Sequence, residues 1–180
     1  MPLNPRQQLQ KVYDQLHLSG HGQAAEVAFG EGMFNELLTF LALVPEDGDL
    51  LEIIFRASDG VPAIKIAEVF NVLLWSAEDQ AGIDLTDLQE WFYSEQPRRV
   101  EVALRCDIYP SNSMQESQRI LEEIMRKFSH LRYLCVALRR EVDYRLAEEE
   151  QWAKYRRDTF EMPKEMTPSI MGIIKDIKRK

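Results

Sequence analysis

With 180 residues, 45% of them hydrophobic and 29% charged, the chain has the composition of a globular protein and is too apolar for intrinsic disorder. Its net charge of −8 sets an averaged field that repels nucleic acid and anionic lipid, and two cysteines are too few for a disulfide scaffold. The strongest apolar stretch, Phe34 to Val44, is broken by Asn35, Glu36 and Thr39 and is too short to span a bilayer, so no transmembrane segment is expected. Asn4, Arg6, Gln7 and Gln8 leave the N-terminus without the apolar core of a signal peptide, and a reducing cytoplasm is the expected compartment.

The charge is unevenly spread. Residues 1–118 hold 7 Lys+Arg against 19 Asp+Glu, whereas residues 119–180 hold 15 against 11. The chain therefore has an acidic front and a basic end.

In chain order, Asn4 followed by Pro5 is a helix start, a side-chain cap and then a residue whose missing N–H costs nothing in the first turn. Leu9, Val12, Tyr13 and Leu16 form one apolar stripe, and Gly20-His21-Gly22 ends that helix. A second helical run carries Val27, Phe29, Phe34, Leu37, Leu38 and Leu41, with Gly30 and Gly32 as points of kinking or splitting. Pro45 to Gly48 is a turn by composition. Leu50 to Phe55 is an apolar run compatible with helix or strand, closed by Asp59-Gly60. After Pro62, the residues Ile66, Val69, Phe70, Val72, Leu73 and Leu74 make a strongly buried helix. Thr86 with Gln89 reads as a capping box that opens a short helix holding Trp91 and Phe92.

After Pro97, Val100, Val102, Leu104, Cys106 and Ile108 alternate with polar or small residues, the period of a strand. Only residues 50–55 offer it a partner, and a two-stranded sheet is marginal without helices packed on it. Between Pro110 and Pro163 neither glycine nor proline occurs. Ser113 and Glu116 form a capping box there. Leu121, Ile124, Phe128, Leu131, Cys135, Leu138 and Val142 then follow at steps of three and four, a coiled-coil-like seam. Unbroken to Met162, that helix would be about 78 Å long. The seam fades at Arg145 and Glu149, and Trp152, Tyr155 and Phe160 restore apolar character. Beyond Pro163 and Pro168, Ile170, Ile173, Ile174 and Ile177 line one face of a last short helix set among Lys175, Lys178, Arg179 and Lys180.

The expected fold is mainly α. An acidic helical bundle spans residues 1–110, a long amphipathic helix residues 111–162, and a linker with a short basic amphipathic tail helix residues 163–180. The alternative is α+β with a small sheet using residues 50–55 and 99–108.

Catalytic constellations are incomplete. His17 and His21 are spaced to share a metal on a helix, but Ser19-Gly20 intervenes and no further ligand is near in sequence. Cys106 and Cys135 lie on apolar faces and read as buried small hydrophobes. No glycine-rich phosphate loop occurs. Neither cofactor nor metal is expected, and an enzyme is the least favoured class.

The candidate binding feature is a stripe of Arg119, Arg126, Tyr133 and Arg140, one every seven residues opposite the seam, flanked by Arg132 and Arg139. Guanidinium groups about 10.5 Å apart could meet a carboxylate-rich protein surface, track a phosphate backbone, or dock on the chain's own acidic lobe. The isoleucines of the tail fit a partner's groove better than a membrane, because so few cations anchor only weakly. The favoured function is a non-enzymatic adaptor or regulatory subunit acting through protein–protein contact, with self-association through the seam possible. Two alternatives are a nucleic-acid-binding accessory subunit using the arginines, and an acidic inhibitor or immunity-type protein covering a basic active site.

Overall fold

The computed structural model describes residues 4–20, 26–45, 47–76 and 84–160. Among these the chain is mainly α-helical, with a long C-terminal helix and one small two-stranded sheet. Helix α1 (Pro5–Asp14) begins as its sequence demands: Asn4 Oδ1 accepts from the Arg6 amide at 2.9 Å, and Pro5 opens the first turn. It buries Leu9, Val12 and Tyr13.

Strands β1 (Leu16–Ser19) and β2 (Glu26–Phe29) pair antiparallel, with Leu16 opposite Phe29 and Ser19 opposite Glu26. This corrects the reading of residues 16–20 and 27–29 as helical. Leu16 and Leu18, and Val27 and Phe29, alternate at period two, and Gly20, which follows β1, takes φ 77°. The end of β2 runs close to α1. The Gly30 amide donates to the Gln15 carbonyl at 2.7 Å, and a Cβ at Gly30 would lie 3.1 Å from that oxygen.

Helix α2 (Met33–Leu41) lays Met33, Leu37 and Phe40 on α1, while Phe34 and Leu38 face outward. Helix α3 (Leu50–Ala57) is capped by Asp49, whose Oδ1 accepts from the Glu52 amide at 2.9 Å. Residues 50–55 are therefore helical and form no part of a sheet. The buried Tyr13 hydroxyl lies 2.5 Å from Ser58 Oγ, and Ser58 Oγ donates to the Ile54 carbonyl at 2.5 Å. A hydroxyl has one proton, so Tyr13 must be the donor in that pair.

Helix α4 (Ala63–Ser76) crosses the core with Ile66, Val69, Phe70 and Leu73 buried. Helix α5 (Leu85–Glu90) is capped by Asp84, which accepts from the Thr86 amide at 2.7 Å, rather than by Thr86 itself. A 3-10 turn then carries Trp91 inward, edge-on to Phe55 at 4.9 Å and to Phe70 at 5.5 Å between ring centroids.

Helix α6 (Pro97–Arg105) occupies the segment whose alternation suggested a strand. Two helix signals outweigh the period of two. Pro97 sits in the first turn, and Glu101 pairs with Arg105 one turn on at 3.0 Å. Val100, Ala103 and Leu104 share its buried face, so both halves of the alternative sheet, 50–55 and 99–108, belong to helices or to the turn after them.

The glycine-free C-terminal span is likewise not one rod. Helix α7 (Met114–Lys127), capped by Ser113 Oγ on the Glu116 amide, ends at Phe128 with φ −125° and ψ 77°. A 3-10 turn over Ser129–Leu131 leads into helix α8 (Arg132–Phe160). Arg139 pairs with Glu122 at 2.8 Å, and Gln118 donates to Asp143 at 2.5 Å. Four residues forward on α7 correspond to four backward on α8, so the two helices run antiparallel. The physical reason is burial. A single rod would leave the seam in water, whereas the hairpin encloses Leu121, Ile124, Phe128, Leu131, Cys135, Leu138 and Val142 in the one continuous core.

Two measurements check this architecture. Gln118→Cys with Asp143→Cys should be joined by a short bis-maleimide, since a continuous helix would hold those positions about 37 Å apart. Leu121→Ala should cost about 2–5 kcal/mol in urea unfolding, while Leu38→Ala, on a side chain 65% exposed, should stay within about 0.5 kcal/mol of the parent.

Candidate functional site

Folding the C-terminal span in two redistributes its arginines. Arg119 and Arg126 lie on α7, and Tyr133 and Arg140 on α8, so the seven-residue stripe is not a continuous track. Arg119 is tied to Glu116 at 2.5 Å within α7. Arg139 is held between Glu122 and Asp143 across the hairpin. Arg126 is exposed near the end of α7 and forms no ion pair among the described residues, but it does not line the cleft on α8.

What remains together is one face of α8. Arg132, Tyr133, Val136, Ala137 and Arg140 recur at helical spacing and, with Ser129 and His130 from the turn, line a shallow cleft of about 440 Å³. Arg132 and Arg140 are exposed, and among the described residues neither forms an ion pair. Tyr133 is half-buried and fixed from below: Arg105 Nη2 donates to its hydroxyl at 2.5 Å, and that guanidinium lies 5.8 Å from the ring centre. Arg105 is in turn held by Glu101. The face thus has one anchored aromatic, an exposed valine and two exposed arginines, and tyrosine and arginine are enriched at protein interfaces.

A second feature was not legible in the sequence. Leu74, Trp75, Leu85, Ile108, Tyr109 and Met114 line a largely apolar groove of about 480 Å³, in which the Trp75 side chain is 74% exposed. Through Trp75, Asp107, Ile108 and Tyr109 it continues into a second depression that reaches Ala137, Glu141 and Arg145 on α8. Glu68, Asn71 and Trp75 lie along one side of α4, and Asn71 Oδ1 accepts from the Asp107 amide at 2.9 Å. Glu68 and Asp107 therefore stand close together beside the groove. Burial first, and the neighbouring Asp107 second, raise the Glu68 carboxyl above its usual range, against a smaller opposing hydrogen bond from Asn71. Among the described residues neither carboxylate forms an ion pair. The one available signal was surplus apolarity: Val69 to Trp75 is apolar nearly all round α4, more than one buried face needs.

Cys106 and Cys135 are free and buried. Burial drives the Cys106 thiol far above its ordinary range and the Cys135 thiol up to about 11, so both are protonated at neutral pH. His17 is exposed on β1, and His21 lies outside the described residues, as do Ile170, Ile173, Ile174 and Ile177. Among the described residues no group of three or more His, Cys, Asp or Glu is placed to hold a metal ion, and no helix is long and apolar enough to cross a membrane.

The fold is thus that of a mainly α-helical protein whose accessible chemistry lies on helix faces. Comparison with protein-family models, curated proteins and solved structures finds no match.

The Glu68–Asp107 pair makes a pH prediction. A carboxyl whose folded pKa is raised binds its proton more tightly when folded, so its stabilising contribution is complete below the unfolded value near 4.5 and is lost as pH rises through the folded one. Glu68→Gln should therefore raise the Tm at pH 7 and leave it nearly unchanged at pH 4, as measured by thermal melts across that range.

Proposed function

We propose that this chain is a non-enzymatic adaptor or regulatory subunit that binds a protein partner through the outward face of α8. The observation that carries this reading is the pairing of an anchored aromatic with exposed cations: Tyr133 held by Arg105, flanked by Arg132 and Arg140, neither of which forms an ion pair among the described residues. A guanidinium fork pairs bidentately with carboxylates, so the complementary surface is acidic at its rim and apolar opposite Tyr133 and Val136. The two thiols, buried and protonated, support a binding role over a nucleophilic one. The seam is consumed within the hairpin, so the favoured contact is this face and not a coiled coil between copies.

Charge reversal at the two free cations tests the proposal. Arg132→Glu with Arg140→Glu should reduce retention of the partner that co-purifies from the native host by at least about tenfold, with thermal stability unchanged, since like-charge juxtaposition across an interface costs several kcal/mol. Retention unaffected by the reversal overturns the assignment of this face. If the parent instead shifts an oligonucleotide in a gel, with affinity falling steeply as salt rises, the ligand is nucleic acid.

A further inference from the structure

The Trp75 groove is largely apolar and open, and neither Arg132 nor Arg140 lines it. Its exposed indole and Leu85, itself 43% exposed, line it with Asp107; Glu68 stands close to Asp107, and Asp84 precedes Leu85 in the chain. Among the described residues, none of these three carboxylates has a cationic partner. Such a surface suits an apolar ridge bordered by lysines.

The chain contains one. Ile170, Ile173, Ile174 and Ile177 fall at helical spacing with Lys175, Lys178, Arg179 and Lys180 among and after them. Its reach is sufficient. The groove meets α8 at Glu141 and Arg145, and α8 runs on from there to Phe160, about 22–28 Å further. From Phe160 to Ile170 the intervening residues 161–169 can span about 33 Å when extended, enough to return along α8 to the groove.

We propose that the isoleucine face of residues 170–177 seats in the Trp75 groove of the same chain, with its lysines toward Glu68, Asp84 and Asp107. Docking covers the indole and sets cations beside the unpaired carboxylates.

The test uses the full chain carrying Trp152→Phe, which removes the other exposed indole and leaves Trp75 with the buried Trp91. Acrylamide quenching of that protein should be weak. Ile173→Asp with Ile174→Asp should raise the quenching constant about threefold, and Lys175→Glu with Lys178→Glu should raise it as well, with far-UV circular dichroism of the core unchanged in both. Arg132→Glu with Arg140→Glu should leave it unaltered, which separates this inference from the partner face on α8. Quenching typical of an exposed indole in the parent, or no change in either tail variant, overturns the proposal. So does protection that disappears on dilution, because the tail of a second copy would then be the occupant.

Discussion

The return of α7 against α8 is the constraint on which the remaining arrangement rests. Seven seam side chains from Leu121 to Val142 find their burial partners on the facing arm and on α6. At about 1.5–3 kcal/mol for each large aliphatic or aromatic side chain removed from water, that seam supplies a substantial part of the drive to fold. It also decides which arginines are spent and which are free. Arg139 is committed to Glu122 because the arms are antiparallel, whereas Arg132 and Arg140 are exposed and form no ion pair among the described residues.

The acidic front of the molecule is held by few cations, each making several contacts. Arg98 Nη2 donates to the Ser58 and Val61 carbonyls at 2.5 and 2.9 Å, closing the turn between α3 and α4. Arg99 reaches Glu52 at 2.6 Å while stacking 5.1 Å from the rings of both Phe55 and Trp91. Lys65 caps the end of α1 through the Tyr13 carbonyl at 2.8 Å. These groups join α1, α3, α4 and α6 across the core where hydrophobic packing alone leaves orientation open. The planar fork of Arg98 and Arg99 could not be replaced by lysine without losing the paired geometry.

The mainly helical character was legible because most cues were local. Asn4-Pro5 and Ser113-Glu116 cap their helices as their chemistry requires. Where cues conflicted, the longer-range term decided. Residues 99–108 alternate like a strand, yet Pro97 and the Glu101–Arg105 pair carry a helix because α4 and α8 offer a wide apolar surface to pack against. The break at Phe128 had no breaker residue to announce it. The three-and-four rhythm continues straight through the 3-10 turn, because Phe128 and Leu131 stay buried at the corner. Only the weak helix formers Ser129 and His130 mark it. The groove at Trp75 was hidden for the opposite reason. On a helix apolar all round, spacing does not tell which large side chain faces water. The face of α8 was half legible: Arg132, Tyr133 and Arg140 stand out in the sequence, but that they share a cleft with Ser129, His130 and Val136 depended on the turn.

The arms of the hairpin are unequal. The antiparallel register sets Met114, the first residue of α7, near Ala147 on α8, so among the described residues the last three and a half turns of α8 have no facing arm. Trp152 and Tyr155 stack edge-on there, 62% and 56% exposed. Arg140 and Trp152 are separated by about 18 Å of helix. α8 thus works as a ruler with two marks. A partner of the kind proposed that touched both would need a reach of about 18 Å, which about six extended residues or about twelve helical ones supply.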